Sequence, residues 1–270
     1  MNCQIKFETA LPSGFSFKSF ASFASFAFKI LAFMAFGSAV CFAQADYARE
    51  QRWADEITPA ILVGDPVQLE LTSGHKFLAI YTPNAKAPAG VIVVHGLGVN
   101  PDWGLINPLR SQLAGQGYAT LSVQMPVLAA DADGGRYPPL FPEAGERLQM
   151  AVKFLRGKGH RKIAVVSHSL GSRMTNFFIN KTAEPQIDAW VAIGISGTFT
   201  EPASFKAPVL DLYGEKDLPA VLENAGKRAE AISRVRGSAQ IQVGGADHFF
   251  NGMETELAGQ VRLFLDQKLK

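Results

Sequence analysis

Three side chains in this 270-residue chain have types and an order that suit chemistry: Ser169, Asp217 and His248. Ser169 lies in Lys162-Ile-Ala-Val-Val-Ser-His-Ser-Leu-Gly171, where a β-branched apolar run meets a corner of small residues. Ser167 two places before it and Gly171 two places after it permit the sharp strand-to-helix turn that holds a hydroxyl clear of the backbone, a nucleophile elbow. No other serine in the chain has glycine two places later. A serine hydroxyl attacks an acyl carbon when a base takes its proton, an acid orients that base, and amide donors meet the oxyanion that forms. His248, in Gly244-Gly-Ala-Asp-His-Phe-Phe250, supplies the base, and Asp217, in Leu212-Tyr-Gly-Glu-Lys-Asp217, the acid. The order serine, acid, histidine belongs to one of the three well-known arrangements of such a set. Two carboxylates compete with Asp217. Asp211 lies within the preceding strand and would point into a side of the sheet, and Asp247 adjoins the histidine. Asp217, on a loop after its strand, can aim at the imidazole and is the expected partner. His168 reads as a packing or hydrogen-bonding group, His95 as a ring that shapes its loop, and His75 and His160 as surface residues.

These side chains need a scaffold that brings distant strand ends together. Val67 to Thr72 alternates apolar and polar residues, and Ser73-Gly74 turns it into Lys76 to Thr82, which predicts an antiparallel hairpin. Val91 to Val94 is a continuous apolar strand suited to burial on both faces. Asn107-Pro108 starts a helix that Gly115 and Gly117 stop. Strand and helix then alternate: strands at 118–123, 162–166, 189–195, 208–213 and 239–243, and helices at 143–156, 170–180, 219–235 and 254–268. Such units imply a parallel sheet, covered on both faces, with right-handed crossovers. Residues 46–58 read as a polar lead. The connection from Met125 to Pro142 is long and rich in turn residues, so it is expected to rim the site. The stretch from Gly197 to Ala207 leaves little room for a separate lid domain between the strands it joins, so no large lid and an open cleft are expected.

Composition narrows the partners. Apolar residues make up 47% and charged residues 19% of the chain, as suits one globular domain. Residues 1–45 stand apart. Lys6, Lys18 and Lys29 lie among Phe, Ser and Ala, the apolar run 30–43 is shorter than the roughly 20 residues of a bilayer span, and Ala43-Gln44-Ala45 is a cleavage signature. This predicts a signal peptide over 1–45, a single domain over 46–270, and export to the periplasm or the medium. Removing 1–45 takes both cysteines, Cys3 and Cys41, and leaves 23 basic against 23 acidic residues. That balance argues against nucleic acid or an anionic membrane as a partner attracted by bulk charge, and favours a small-molecule substrate. Gly96 and Gly98 mimic the start of a dinucleotide loop, but Pro101 stands where the third glycine belongs. With no GxxxxGK[ST] loop, HExxH helix or cysteine set, neither a cofactor nor a metal is expected.

From about Val67 onward the chain resembles the α/β-hydrolases. His95-Gly-Leu-Gly through Asp102-Trp103, with Leu121-Ser-Val-Gln-Met-Pro126, is similar to the DUF3530 group of exported bacterial α/β-hydrolase-like proteins. The resemblance implies an α/β-hydrolase fold: a mostly parallel twisted sheet, helices on both faces, and an antiparallel N-terminal hairpin. It also implies that the HG dipeptide supplies an oxyanion donor, the amide of Leu97, beside that of Leu170 directly after the nucleophile. The expected activity is a serine hydrolase cleaving an ester or thioester through an acyl-enzyme, with amide or peptide substrates as the neighbouring alternative. Trp103, Met125, Tyr137, Leu140, Phe141 and Phe249 are candidates to hold an acyl or aromatic group. The reading from a different class is an idle hydrolase scaffold serving as a binding or envelope-associated module, which the non-glycine Ser167 would suit.

Overall fold

Runs of five or six residues with no charged interruption form the centre of the molecule. β3 (Gly90–Val94), β4 (Ala119–Val123), β5 (Ile163–His168) and β6 (Ala189–Ile193) are buried at every position. Successive side chains on a strand point to opposite faces, and the strands use both. Ile92 and Val94 join Ile163 and Val165 in one apolar cluster, while Val91 and Val93 join Ala164 and Val166 in the other. The computed structural model describes residues 44–181 and 187–269. Both cysteines and the predicted signal segment up to residue 43 lie outside the described residues.

The sheet has eight strands in the order β1-β2-β4-β3-β5-β6-β7-β8, completed by β1 (Asp65–Glu70), β2 (Lys76–Thr82), β7 (Val209–Lys216) and β8 (Ala239–Asp247). The predicted hairpin β1-β2 is antiparallel and β2 joins β4 antiparallel, whereas every pair from β4 to β8 is parallel. Helices α1 (Tyr47–Ile57), α2 (Ile106–Gly115), α3 (Phe141–Gly157) and α4 (Leu170–Lys181) come first in the chain. The short α5 (Pro219–Leu222), α6 (Ala225–Ser233) and α7 (Glu254–Leu269) follow. α2 and α7 give their apolar residues to one cluster, α3 and α4 to the other. Each covers the sheet with an apolar stripe. This is the α/β-hydrolase fold, and no large lid stands among the described residues: between β6 and β7 there is only a single 3₁₀ turn, Pro202–Ser204.

Two expectations need correcting. The predicted helix over 219–235 is two helices, separated near Glu223 and Asn224. Residues 46–58 are not a featureless lead, because Asp46 caps α1 by accepting a hydrogen bond from the Arg49 N–H at 2.9 Å. The inward face of α1 carries Tyr47, Glu50 and Ala54, so it lacks the aliphatic periodicity that marks a buried helix. Glu50 is buried against Arg147 of α3 at 2.8 Å instead. Ala45 is buried, and the Asp46 N–H donates to the Val127 carbonyl at 2.7 Å, so the chain is anchored from its first described residues.

Candidate active site

Ser169 turns sharply between β5 and α4, with φ of 54°, in the left-handed region that non-glycine residues rarely enter. The strain is held from both sides. Its N–H donates to the Ile193 carbonyl at 2.8 Å, and its carbonyl accepts from the Ser172 N–H at 3.0 Å. A Cβ at Gly171 would stand 2.3 Å from the His95 carbonyl oxygen, so only glycine lets α4 start this close to the end of β3. Ser167 has a polar nest instead of a steric limit. Its hydroxyl accepts from Trp190 Nε1 at 2.8 Å and donates to Ser172 Oγ at 3.1 Å, while Ser172 Oγ donates to the Ser167 carbonyl at 2.8 Å. The departure from glycine two places before Ser169 is therefore compensated beneath the turn.

His248 follows β8 and Asp217 follows β7, so both reach the sheet edge where Ser169 sits. The Ser169 hydroxyl lies 3.0 Å from His248 Nε2, and His248 Nδ1 lies 2.6 Å from Asp217 Oδ1. A carboxylate oxygen accepts, so Nδ1 carries the imidazole proton and Nε2 is left to accept from the serine. Asp217 is itself fixed, accepting from the Leu218 N–H at 2.7 Å and the Gly214 N–H at 3.3 Å. Gly194 makes room for the pair: with φ of 56° at the end of β6, its Cβ would stand 3.0 Å from the His248 ring. The competing carboxylates are occupied elsewhere. Asp211, fully buried in β7, pairs with Arg228 at 2.8 Å, and burial pushes its carboxyl above the ordinary value while Arg228 pulls it back. Asp247 accepts the Phe249 and Asn251 N–H groups and so holds the turn beyond the histidine.

Two further histidines support this edge without touching the serine hydroxyl. His168 donates from Nε2 to the His248 carbonyl at 2.9 Å, holding the loop that carries His248. Burial drives its pKa down to about 3, and the neighbouring His248 adds to that, so the ring is neutral. His95 is equally buried, and its pKa falls to about 4 for the same first reason. Its Nδ1 donates to the Gly96 carbonyl at 2.9 Å and its Nε2 accepts from the Met125 N–H at 2.9 Å. Among the described residues no peptide is cis, so the Gly96 carbonyl and the Leu97 N–H point in opposite directions. Fixing the carbonyl therefore fixes the donor. Gly96 leans on the elbow, where its Cβ would stand 3.2 Å from Ser169 Cβ. No acceptor among the described residues takes the Leu97 or the Leu170 N–H. His160 is not a surface residue, since it is buried and meets the Tyr81 hydroxyl at 3.4 Å, whereas His75 is half-buried at the surface and stacks on Tyr47.

A cleft of about 220 Å³ opens above Ser169. Leu97, Trp103, Leu218 and Phe249 line it while remaining 40–47% exposed, and among the described residues no Asp, Glu, Lys or Arg does. Met125, Tyr137, Leu140 and Phe141, expected near the cleft, are buried in the core instead. The connection after β4 accounts for this. Rather than rimming the cleft it packs behind the HG loop, with Gly134 beside the Leu97 side chain and Tyr137 Oη accepting the Leu128 N–H at 3.1 Å. Leu218 and Val99 also line the cleft, and neither is among the candidates that the sequence offers. Leu218 follows Asp217 directly, and an apolar residue next to that carboxylate is the available signal.

Residues 44–140 match the model of a family described as a protein of unknown function, DUF3530. That match covers α1, the HG loop and the connection after β4; Ser169, Asp217 and His248 lie beyond it. No curated protein matches the sequence. Among solved structures, a dienelactone hydrolase from Anabaena variabilis is 19% identical with a TM-score of 0.64, over 76% of this chain and 97% of that one. A Pyrococcus furiosus esterase is 15% identical with a TM-score of 0.62, over 76% and 93%. A Xanthomonas campestris protein described as an α/β serine hydrolase without a lid is 13% identical with a TM-score of 0.60, over 77% and 96%. At these identities the likeness concerns the fold.

Proposed function

We propose that the chain is an exported serine hydrolase that cleaves an uncharged ester or thioester through an acyl-enzyme. The observation that carries this reading is the unbroken hydrogen-bonded line Asp217–His248–Ser169 at the floor of an apolar cleft. In acylation the Ser169 proton passes to His248 Nε2 as Oγ bonds to the carbonyl carbon. Asp217 stabilises the resulting imidazolium, and the oxyanion accepts from the Leu97 and Leu170 amides. The tetrahedral species collapses, the bond to the leaving alcohol or thiol breaks, and that group takes the proton from His248. Water then repeats the sequence on the acyl-enzyme and releases the acid. The cleft falls below the roughly 300–1,000 Å³ of sites for drug-sized ligands, and among the described residues its lining carries no Asp, Glu, Lys or Arg. A short aliphatic or single-ring acyl group suits it, and no metal or organic cofactor enters the scheme.

The test is covalent labelling with a fluorophosphonate probe, together with p-nitrophenyl esters of graded chain length. Wild type is expected to label and to hydrolyse the short esters, and Ser169→Ala to do neither while keeping its Tm. A well-folded wild type that does not label points to the binding-module reading instead. Export rests on the N-terminal pattern of residues 1–45; cell fractionation is expected to find the protein outside the cytoplasm, with Asp46 as its first residue.

A further inference from the structure

The HG loop is pinned on both sides of Leu97, and the second pin comes from outside the sheet. His95 holds the Gly96 carbonyl. Arg49, on α1, donates from Nη2 to the Gly98 carbonyl at 3.0 Å and from Nη1 to the Leu128 carbonyl at 2.7 Å. One guanidinium thus ties the loop after β3 to the loop after β4. Its planar fork offers donors at fixed angles, which a flexible ammonium does not. The fork is held in turn, lying 4.3 Å over the Trp53 ring one turn further along α1. Gly98, at φ of 64°, sits in a cradle made by Arg49 and the Tyr137 hydroxyl. Between the two pinned carbonyls lies the one N–H of the loop that the proposed reaction uses.

We propose that Arg49 is a positioning residue for the oxyanion loop, so that α1, which precedes the first strand, sets the rate of the chemical step. The inference rests on the serine-hydrolase reading. Losing an oxyanion donor outright lowers kcat by about 10²–10³. A donor left in place on a loosened loop loses part of that, roughly tenfold to a hundredfold.

The experiment compares Arg49→Met, Arg49→Lys and Ala54→Gly in the purified protein. Ala54→Gly weakens the same helix without touching Gly98. Arg49→Met is expected to lower kcat and the fluorophosphonate labelling rate about tenfold to a hundredfold, with KM within twofold. The acidic limb of the pH profile, which reports the base, should stay where it is. Arg49→Lys, which can reach one carbonyl, should recover part of the loss, and Ala54→Gly should lose Tm but not kcat. The proposal is overturned if Arg49→Met loses no more kcat than Ala54→Gly, or if it changes KM alone. Should Arg49→Met not fold, Arg49→Lys decides: at least a threefold fall in kcat at constant KM supports the proposal, and unchanged kcat overturns it. A wild type that neither labels nor hydrolyses esters defeats the hydrolase reading itself, whereas a labelled wild type with an indifferent Arg49 defeats only this inference.

Discussion

The serine side of the cleft and the HG side are held by different means. On the serine side Ser169, Asp217 and His248 each leave the end of a strand, and the fit is set by backbone. Gly171 and Gly194 admit contacts that a Cβ would block, and main-chain amides fix Asp217. On the HG side the loop after β3 is held by His95 and by Arg49 of the distant α1, and a buried ion-pair cluster holds α1 in turn. Arg147 bonds Glu50 of α1 at 2.8 Å, Glu143, and the Gln124 carbonyl at 3.0 Å, while Glu50 accepts from the Val127 N–H at 3.3 Å. A strand end sets its geometry with few long-range partners. α1, held by buried ion pairs, keeps its place only while every partner stays, since removing one member of a buried pair costs about 3–5 kcal/mol.

The largest effect tests whether the serine side separates chemistry from scaffold within one strand and its loop. Asp217→Asn should lower kcat about 10⁴-fold with a small change in Tm, because the amide no longer favours the imidazole tautomer that accepts from serine. Asp211→Asn leaves the buried Arg228 guanidinium without its carboxylate, so stability should fall by about 3–5 kcal/mol while the folded protein keeps the kcat of the proposed reaction within about threefold. Kinetics below Tm and thermal melts of both variants check this. The reverse pattern, with Asp211 governing kcat, would break the division.

Acid should reach both sides through their neutral histidines, by a smaller amount. His168 and His95 have pKa values lowered to about 3 and about 4 from an ordinary 6.5. Between those limits the unfolded chain binds more protons than the folded one, so stability is complete above about pH 6.5 and drains away as pH falls. At pH 5 each ring accounts for about 2 kcal/mol. Glu50 and Asp211, raised by burial, act in the opposite direction. The histidine contribution is therefore read as the difference between wild type and His168→Gln or His95→Gln in urea titrations at pH 7.5 and 5. Each variant should lose about 2 kcal/mol less than wild type over that interval; equal losses would mean the rings are not kept neutral.

The same contrast explains how much the sequence reveals. The eight strands, the hairpin and the three residues at the sheet edge follow from local patterns, because each side chain comes directly after an apolar run. Asp217 could be chosen over Asp211 by asking which one lies beyond its strand. The HG side resists such reading. α1 hides its buried face behind Tyr47 and Glu50, and a helix whose inward side is charged reads as surface until its partner, Arg147, is known. Met125, Tyr137 and Phe141 follow a strand just as Ser169 does, yet they turn into the core because the connection after β4 is needed to back the HG loop. Aromatic type alone does not tell a cleft wall from a core contact: Trp103 and Phe249 line the cleft, and Tyr137 and Phe141 do not.

The smallest effect lies where the two sides meet. Trp103 stands on the HG side and Phe249 on the serine side, with ring centroids 5.8 Å apart and planes at 74°. Both remain about 40% exposed, so truncating either removes cleft wall rather than core. Trp103→Ala and Phe249→Ala should each lower kcat/KM on a medium-chain p-nitrophenyl ester about fivefold to tenfold, and leave the acetate ester nearly unchanged. An edge-to-face pair contributes about 0.5–1.5 kcal/mol beyond its area. The double variant should therefore lose less than the product of the single losses, by roughly twofold to tenfold. Strict multiplication of the two losses would mean that each half builds its wall alone. Sub-multiplicative loss would mean that the acyl group is gripped by a pair whose spacing requires both modes of support to hold at once.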